Sequence, residues 1–302
     1  MRKLNIIVII SAIVVMMLGF SAYSAEAQTK RALLVGVSDY GNAMEDPNKW
    51  ANISGANDIA LLTPLFTGQG YSVTSLVDGQ ATHAGITGAL EQLATDSQKG
   101  DIVYIHFSMH GQPFEDLNGD EEDGWDEALI PVDAEVLYAE GVYEGKNHLL
   151  DDELEGYFNQ IRNKLGSNGQ LVVVLDACHS GTGVRGDEDH IRGTREGFTR
   201  SGKDYTPDRT QETNDYFTIA SLENQSPIIV LEACRSYQNN KEVRGDDGNY
   251  YGAVTFAVAE TMKEYPIDAD GLWIKKVKEV FAEKLKKRIR RNMQNLVIEK
   301  SE

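Results

Sequence analysis

Six apolar, β-branched runs punctuate the chain, at residues 32–37, 71–77, 101–107, 171–175, 216–221 and 227–231. Between Val172 and Leu175 no polar residue alternates with the apolar ones, which is the pattern of a strand covered on both faces. Stretches 57–67, 83–97 and 151–165 place apolar residues at helical spacing between several of these runs. Strands alternating with helices of this length predict an α/β fold with a mostly parallel sheet. Further on, the pattern predicts a helix over 253–264 and an amphipathic helix over 272–297. In the latter, Trp273, Val277, Val280, Phe281, Leu285 and Ile289 recur at spacings of three and four, and the lysines and arginines form the wet face. Residues 181–213 are polar, rich in Gly, Arg, Asp and Thr, and without an apolar period. They read as a long exposed loop, and loops of that length are uncommon unless functional or disordered. No internal repeat interrupts the pattern.

The amino-terminal residues stand apart. Met1-Arg2-Lys3 is a positive start, residues 4–20 are almost wholly apolar, and Ala25-Glu26-Ala27 is a small-x-small cleavage pattern. Residues 1–27 therefore read as a signal peptide. The remainder is expected to be exported across the cytoplasmic membrane, to the periplasm or beyond, with no stable membrane insertion. An uncleaved anchor is the other reading, since about 17 apolar residues approach the length of a spanning helix. With 47 acidic against 29 basic residues the net charge is −18. Such a chain repels phosphate backbones, which argues against nucleic acid as a partner. The acid gathers at 115–127 and the base at 275–291. Acidic clusters are commonly solvated loops, and they also supply the oxygens that hard divalent cations need.

Chemistry-bearing residues collect where apolar runs stop. "FSMHG" closes the third run and "LDACHSG" the fourth, and in open α/β sheets ligands bind beyond the carboxyl ends of strands. If those two strands are neighbours, His110 and Cys178 share one edge of the sheet, with an imidazole available to take a thiol proton. His179 follows directly on an extended segment, so its side chain is expected to face away. Cys234, the other cysteine, ends a further apolar run in "IIVLEACRS". Two cysteines in an exported chain admit a disulfide, and two strand ends equally suit free thiols, so the pairing stays open.

The two motifs, in this order on core strands, resemble the histidine and cysteine motifs of caspase-like cysteine peptidases, above all the metacaspase and bacterial orthocaspase branch. "RALLVGVSDY", "GANDIALL", "DGWDEALIPVD", "DDEL" and "YYGAVTFAVAETM" extend the resemblance over nearly all of residues 30–297. It implies a caspase-like three-layer sandwich, a mostly parallel central sheet flanked by helices. It also implies a large-subunit-like region at 28–183, a flexible linker at 184–213 and a small-subunit-like region at 214–302. His110 would be general base and acid, and Cys178 the nucleophile of a peptide hydrolase working through a thioester. Backbone N–H groups of Gly111 and Cys178 would hold the oxyanion.

The resemblance further puts Asp58, Ser108 and Asp176 in the substrate pocket, with Asp176 where caspases that cut after aspartate carry Gln. Two carboxylates facing one pocket attract a cation, so substrates are expected to be proteins or peptides with a basic residue before the cut, Arg favoured by its planar fork. Taken alone, Asp58 is also an ordinary acid at a helix start. Ala56 and Ala177 stand where the branch often has cysteines. No organic cofactor is implied. Calcium is, on Asp126, Asp151 and Asp152, with Asp187 the nearest carboxylate for a fourth ligand. "DLNGDEEDGWDE" mimics EF-hand donor positions, yet Glu121 occupies the place of the required Gly and no helix pair flanks it. Arg185, Arg192, Arg195, Arg200, Lys203 and Arg209 are candidate points of self-cleavage. A catalytically silent domain that recognises basic peptides, or a structural protein stabilised by calcium at the acidic loop, are the competing readings.

Overall fold

The computed structural model describes residues 28–301 apart from 42, 122, 179–190, 195, 208–215, 268–270 and 286–293. Residues 1–27, expected to be a signal peptide, and His179, Arg185, Asp187, Arg195 and Arg209 therefore lie outside the described residues.

In chain order the elements are β1 (Lys30–Gly36), α1 (Gly55–Gly68), β2 (Ser72–Val77), α2 (His83–Asp96), β3 (Ile102–Ser108), β4 (His110–Glu115), β5 (Trp125–Ile130), β6 (Leu149–Leu150) and α3 (Asp151–Leu165). There follow β7 (Gln170–Asp176), β8 (Tyr216–Ile219), β9 (Ile228–Glu232), β10 (Val243–Arg244), β11 (Tyr250–Tyr251), α4 (Ala253–Met262), α5 (Leu272–Val280) and β12 (Val297–Ser301). Seven strands form the central sheet in the order β2-β1-β3-β7-β9-β12-β8. Every neighbouring pair is parallel except β9–β12.

The two faces of β7 explain why its sequence does not alternate. Leu171 and Val173 pack into a core with Ile86, Leu90 and Leu93 of α2 and Leu154, Phe158 and Ile161 of α3. Val172 and Val174 point the other way, into a core with Ile59, Leu62 and Phe66 of α1, Val254 and Val258 of α4, and Trp273 and Val277 of α5. Helices thus cover both sides of a buried sheet, the expected three layers, and the edge strand β2 shows exposed residues in alternation. Among the described residues no helix is long and apolar enough to cross a membrane.

Two sequence expectations are corrected. The helix expected over 272–297 stops at Val280, passes through a π-helical turn at Phe281–Leu285, and gives way to a strand starting at Val297. The stripe of Trp273, Val277 and Phe281 is buried as expected. Val297-Ile298, a β-branched pair followed by Glu299, instead enters the sheet, with Ile298 opposite Leu231 on one side and Tyr216 on the other. The stretch expected as an exposed loop is also not exposed throughout. Phe198 is buried against Phe114, 5.0 Å between ring centroids, and its backbone is hydrogen-bonded on both sides, to Pro113 O and from Glu115 N. One aromatic and one arginine, Arg192, anchor that segment, and single anchors leave no periodic trace. The antiparallel sheet β4-β5-β6 was likewise hidden, because Gly and Pro in β4 and two acids in β5 break the strand pattern.

Ile298 is wholly buried within β12. Ile298→Ala is expected to destabilise the fold by about 2–5 kcal/mol, measured as a lower urea midpoint at unchanged slope. A surface helix position would lose almost nothing.

Candidate active site

β3 and β7 run parallel in a register that pairs Ser108 with Asp176. His110 and Cys178 each lie two residues beyond that pair, so adjacent strands deliver them to the same edge. Met109 separates β3 from β4, and the bend lets His110 open the second sheet opposite Ile130.

The imidazole is held from several directions. Its Nε2 donates to Ala51 O at 2.8 Å, its ring stacks on Trp50 at 4.9 Å, and the Tyr40 ring lies 5.0 Å away. The His110 backbone N–H donates to the Tyr40 hydroxyl, which in turn donates to Ile130 O. With the proton on Nε2, Nδ1 is the basic nitrogen, and it is buried with no hydrogen-bond partner among the described residues. Burial lowers the His110 pKa to about 4, with Arg192 pushing the same way and the Ala51 carbonyl opposing. The ring is therefore neutral near pH 7, the state a general base needs. The sequence does not mark Trp50, Ala51 or Tyr40 as site residues. A lone tryptophan in the polar run "DPNKWANIS" was the one available hint.

Cys178 is completely buried, and its thiol donates to Gln238 O at 2.8 Å. Cys234 is also a free cysteine, its sulfur 3.0 Å from that of Cys178. The two thiols are thus neighbours and not a disulfide. Gly111 sits in β4 opposite Leu129.

Beside this edge lies a closed pocket of charge. Arg192 is fully buried, and its NH1 is 2.8 Å from Asp58 Oδ2, 3.6 Å from Asp176 Oδ1 and 2.7 Å from Ser108 Oγ. Its other edge, Nε and NH2, donates to one oxygen of Glu242 at 3.1 and 2.9 Å. All three residues expected in the pocket are therefore present around one guanidinium, and Glu242, which the sequence did not point to, completes it. A unit charge pair at 4 Å and an effective dielectric near 20 gives about 4 kcal/mol, while each ion taken out of water loses several kcal/mol. One carboxylate would not hold an arginine here; three do.

The start of α4 supports the acids. Gly252 N donates to Asp58 Oδ1 and Thr255 N to Asp176 Oδ2, and the Thr255 hydroxyl lies 3.2 Å from Asp58 and 2.7 Å from Asp176. Asn240 adds a bond to Asp176 Oδ1. Burial lifts the Asp58 pKa to about 6 against the pull of Arg192. Asp176 lies below the usual range despite burial, through Arg192 and its hydrogen bonds to Asn240 and Thr255. A side chain at 252 would collide with the Asp176 carboxylate and the Arg192 guanidinium, so "YYGAVTF" needs its glycine. Gly193 is bound in the same way: a Cβ there would strike Cys178 O and stand 3.1 Å from Gly111 O. Arg192 and Gly193 therefore span from the acidic pocket to the backbone of Gly111 and Cys178.

The remaining basic candidates differ. Arg200 N donates to Glu115, and Lys203 Nζ reaches Asp123 O and Gly124 O and lies over the Trp125 ring. These ties hold both residues on the acidic-loop side.

In the acidic loop the structure groups Asp116, Asp120 and Asp126, one oxygen of each lying within 4.8 Å of the others. This differs from the set implied by resemblance, sharing only Asp126 with it. Asp151 and Asp152 are near: Asn118 donates to Asp152, and both acids help raise Asp126, whose pKa burial lifts to about 7. Asp126 is 5% exposed, and its Oδ1 has no hydrogen-bond partner among the described residues. An all-oxygen donor set with an unpaired buried oxygen fits a hard divalent cation.

The sequence model of the family "Metacaspase, peptidase C14 domain" matches residues 30–185. The chain belongs to the metacaspase family. Metacaspase-1B of Aspergillus fumigatus is 26% identical over 287 residues, covering 81% of this chain and 64% of its own length. Metacaspase-1B of Neosartorya fischeri is 35% identical over 172 residues, 54% of this chain and 38% of its own. The chain thus spans less than two thirds of either relative. A crystal structure of a Geobacter sulfurreducens protein superposes with a TM-score of 0.60 at 21% identity, covering 90% of this metacaspase chain and 93% of that one, a likeness of fold.

Removing Arg192 leaves three buried acids without their cation. In a Cys178→Ala background, Arg192→Ala is expected to destabilise the uncut chain by about 3–5 kcal/mol, read from denaturant midpoints. A loss below about 1 kcal/mol, as for an exposed pair, would contradict the buried pocket.

Proposed function

We propose that this metacaspase is a cysteine endopeptidase that cleaves after arginine, and after lysine less well, and that it cuts itself between Arg192 and Gly193. One observation carries the reading: the chain's own Arg192 fills the acidic pocket while Gly193 lies against the backbone of Cys178 and Gly111. An arginyl bond that lies along the backbone of Cys178 and of the residue after His110 supports self-cleavage at this point.

The chemistry follows from the site. The Cys178 proton leaves Gln238 O for His110 Nδ1, and the sulfur attacks the arginyl carbonyl carbon. The backbone N–H groups of Gly111 and Cys178 receive the developing oxyanion, and His110 returns the proton to the departing amine. Water, deprotonated by the same nitrogen, then releases the acid from the thioester. Preference for arginine has a geometric origin. Asp58, Asp176 and Ser108 meet NH1, whereas Glu242 binds the Nε–NH2 edge, and a lysine ammonium cannot reach both.

Peptides ending in Arg should be cleaved faster than those ending in Lys, and those ending in Asp not at all. Cys178→Ala abolishes cleavage, and the small fragment of the wild type begins at Gly193 by amino-terminal sequencing. Glu242→Gln should lower kcat/KM for Arg peptides by about 10–100-fold and for Lys peptides less. A folded, reduced protein that binds Arg peptides without cutting them would establish the silent binding domain instead.

With an arginine in the pocket Asp58 is ionised above about pH 6, and its protonation weakens the pocket's hold on that cation. The value of kcat for bound Arg peptides should accordingly fall as pH drops through about 6, and Asp58→Asn should show a lower plateau without that acid limb.

Calcium is the cation we assign to the acidic loop, held by Asp116, Asp120 and Asp126 with Asp151 and Asp152 adjacent. It would supply charge neutralisation beside the site. Calcium should raise the melting temperature of the Cys178→Ala protein, and Asp126→Asn should remove that rise; equal stabilisation of both would exclude this loop.

A further inference from the structure

The sequence has two cysteines, and the fold brings them to one place. Leu175 of β7 pairs with Glu232 of β9, so the two chains leave the sheet side by side, and the Cys178 and Cys234 sulfurs come within 3.0 Å. The Cys234 thiol points at its neighbour and donates to it. A disulfide needs about 2.05 Å between sulfurs, so about 1 Å of closure joins them.

Nothing in the hydrolytic scheme uses Cys234. It takes no part in the acidic pocket, and its hydrogen-bond partners are Cys178 Sγ and, at 4.0 Å, Ala177 O. Burial and the adjoining Cys178 push its thiol well above the usual range, which keeps it protonated and unreactive toward peptides. It is nonetheless reachable by small solutes. Cys234 lines a cavity of about 660 Å³ on the α3 side of the sheet, together with Phe158, Glu232, Arg235 and Tyr237. Cys178 itself is completely buried, and the cavity brings a small oxidant to within one sulfur–sulfur contact of it, 3.0 Å.

We propose that Cys234 is a resolving thiol: a peroxide-class oxidant joins it to Cys178 in a reversible disulfide that masks the nucleophile. The peroxide takes two electrons from one sulfur, giving a sulfenic acid and one water. The second thiol attacks that sulfur, the S–S bond forms, and the sulfenic oxygen leaves with both remaining protons as a second water. A dithiol returns two electrons and restores both thiols. The switch rests on the reading of Cys178 as nucleophile. It also protects that residue, because a sulfenic acid consumed by its neighbour does not advance to the irreversible sulfinic state.

The test uses the full chain, reduced and then exposed to hydrogen peroxide. Wild type should lose its amidase activity and both free thiols, lose the mass of two hydrogens, and yield one peptide linking 178 to 234. Dithiothreitol should return the activity. Cys234→Ser and Cys234→Ala, active when reduced, should be inactivated by peroxide with oxygen added at Cys178 and no recovery in dithiothreitol. Recovery of these variants equal to wild type, or wild-type inactivation without the linked peptide, would overturn the proposal. Activity that survives full linkage would overturn the switch alone, whereas a reduced wild type without amidase activity would overturn the peptidase reading and the switch with it.

Discussion

The guanidinium of Arg192 and its three carboxylates are the interaction around which this molecule is arranged. No pair among them would be stable alone in a site without water, because the loss of hydration outweighs a single contact. Together they tie four distant parts of the chain to one point: Asp58 at the start of α1, Asp176 at the end of β7, Glu242 ahead of β10, and the segment after the cysteine loop. The amino end of α4 closes the assembly with backbone N–H groups aimed at two of the acids, where helix partial charge favours anions. A pocket built to hold a cation is thus stable when a cation fills it, and the chain carries one of its own.

His110 and Cys178 are placed by a different logic. Their position follows from the parallel register of β3 and β7, which is fixed by side chains packed into both cores far from the chemistry. Orientation is added locally. Trp50 and the Ala51 carbonyl choose the face and tautomer of His110, and Gln238 holds the resting thiol. Distance comes from the sheet, and angle from loops.

What could be read in the sequence followed the same division. Strands β3 and β7 were evident because burial on both faces leaves an uninterrupted apolar run, and His110, Cys178, Asp58 and Asp176 could be singled out because they sit at or near the ends of such runs or in recognisable motifs. Glu242, Ala51 and Gln238 were not, since one acts through a carboxylate indistinguishable from the chain's 46 other acids and the other two act through backbone carbonyls. The strand at Val297–Ser301 was missed for a third reason. A stripe that does exist, through Phe281, was extended across 286–293, outside the described residues, and into residues that pair with β9 and β8.

The pairing of β7 with β9 has a consequence for the linker between them. Five residues of each strand are matched in register, and β9 is flanked on its far side by β12, so a chain severed between the two strands keeps its sheet without a covalent connection. Assembly then changes molecularity. An intact chain refolds as one body at any dilution, whereas two fragments must find each other, and the persistence of the sheet becomes a function of concentration.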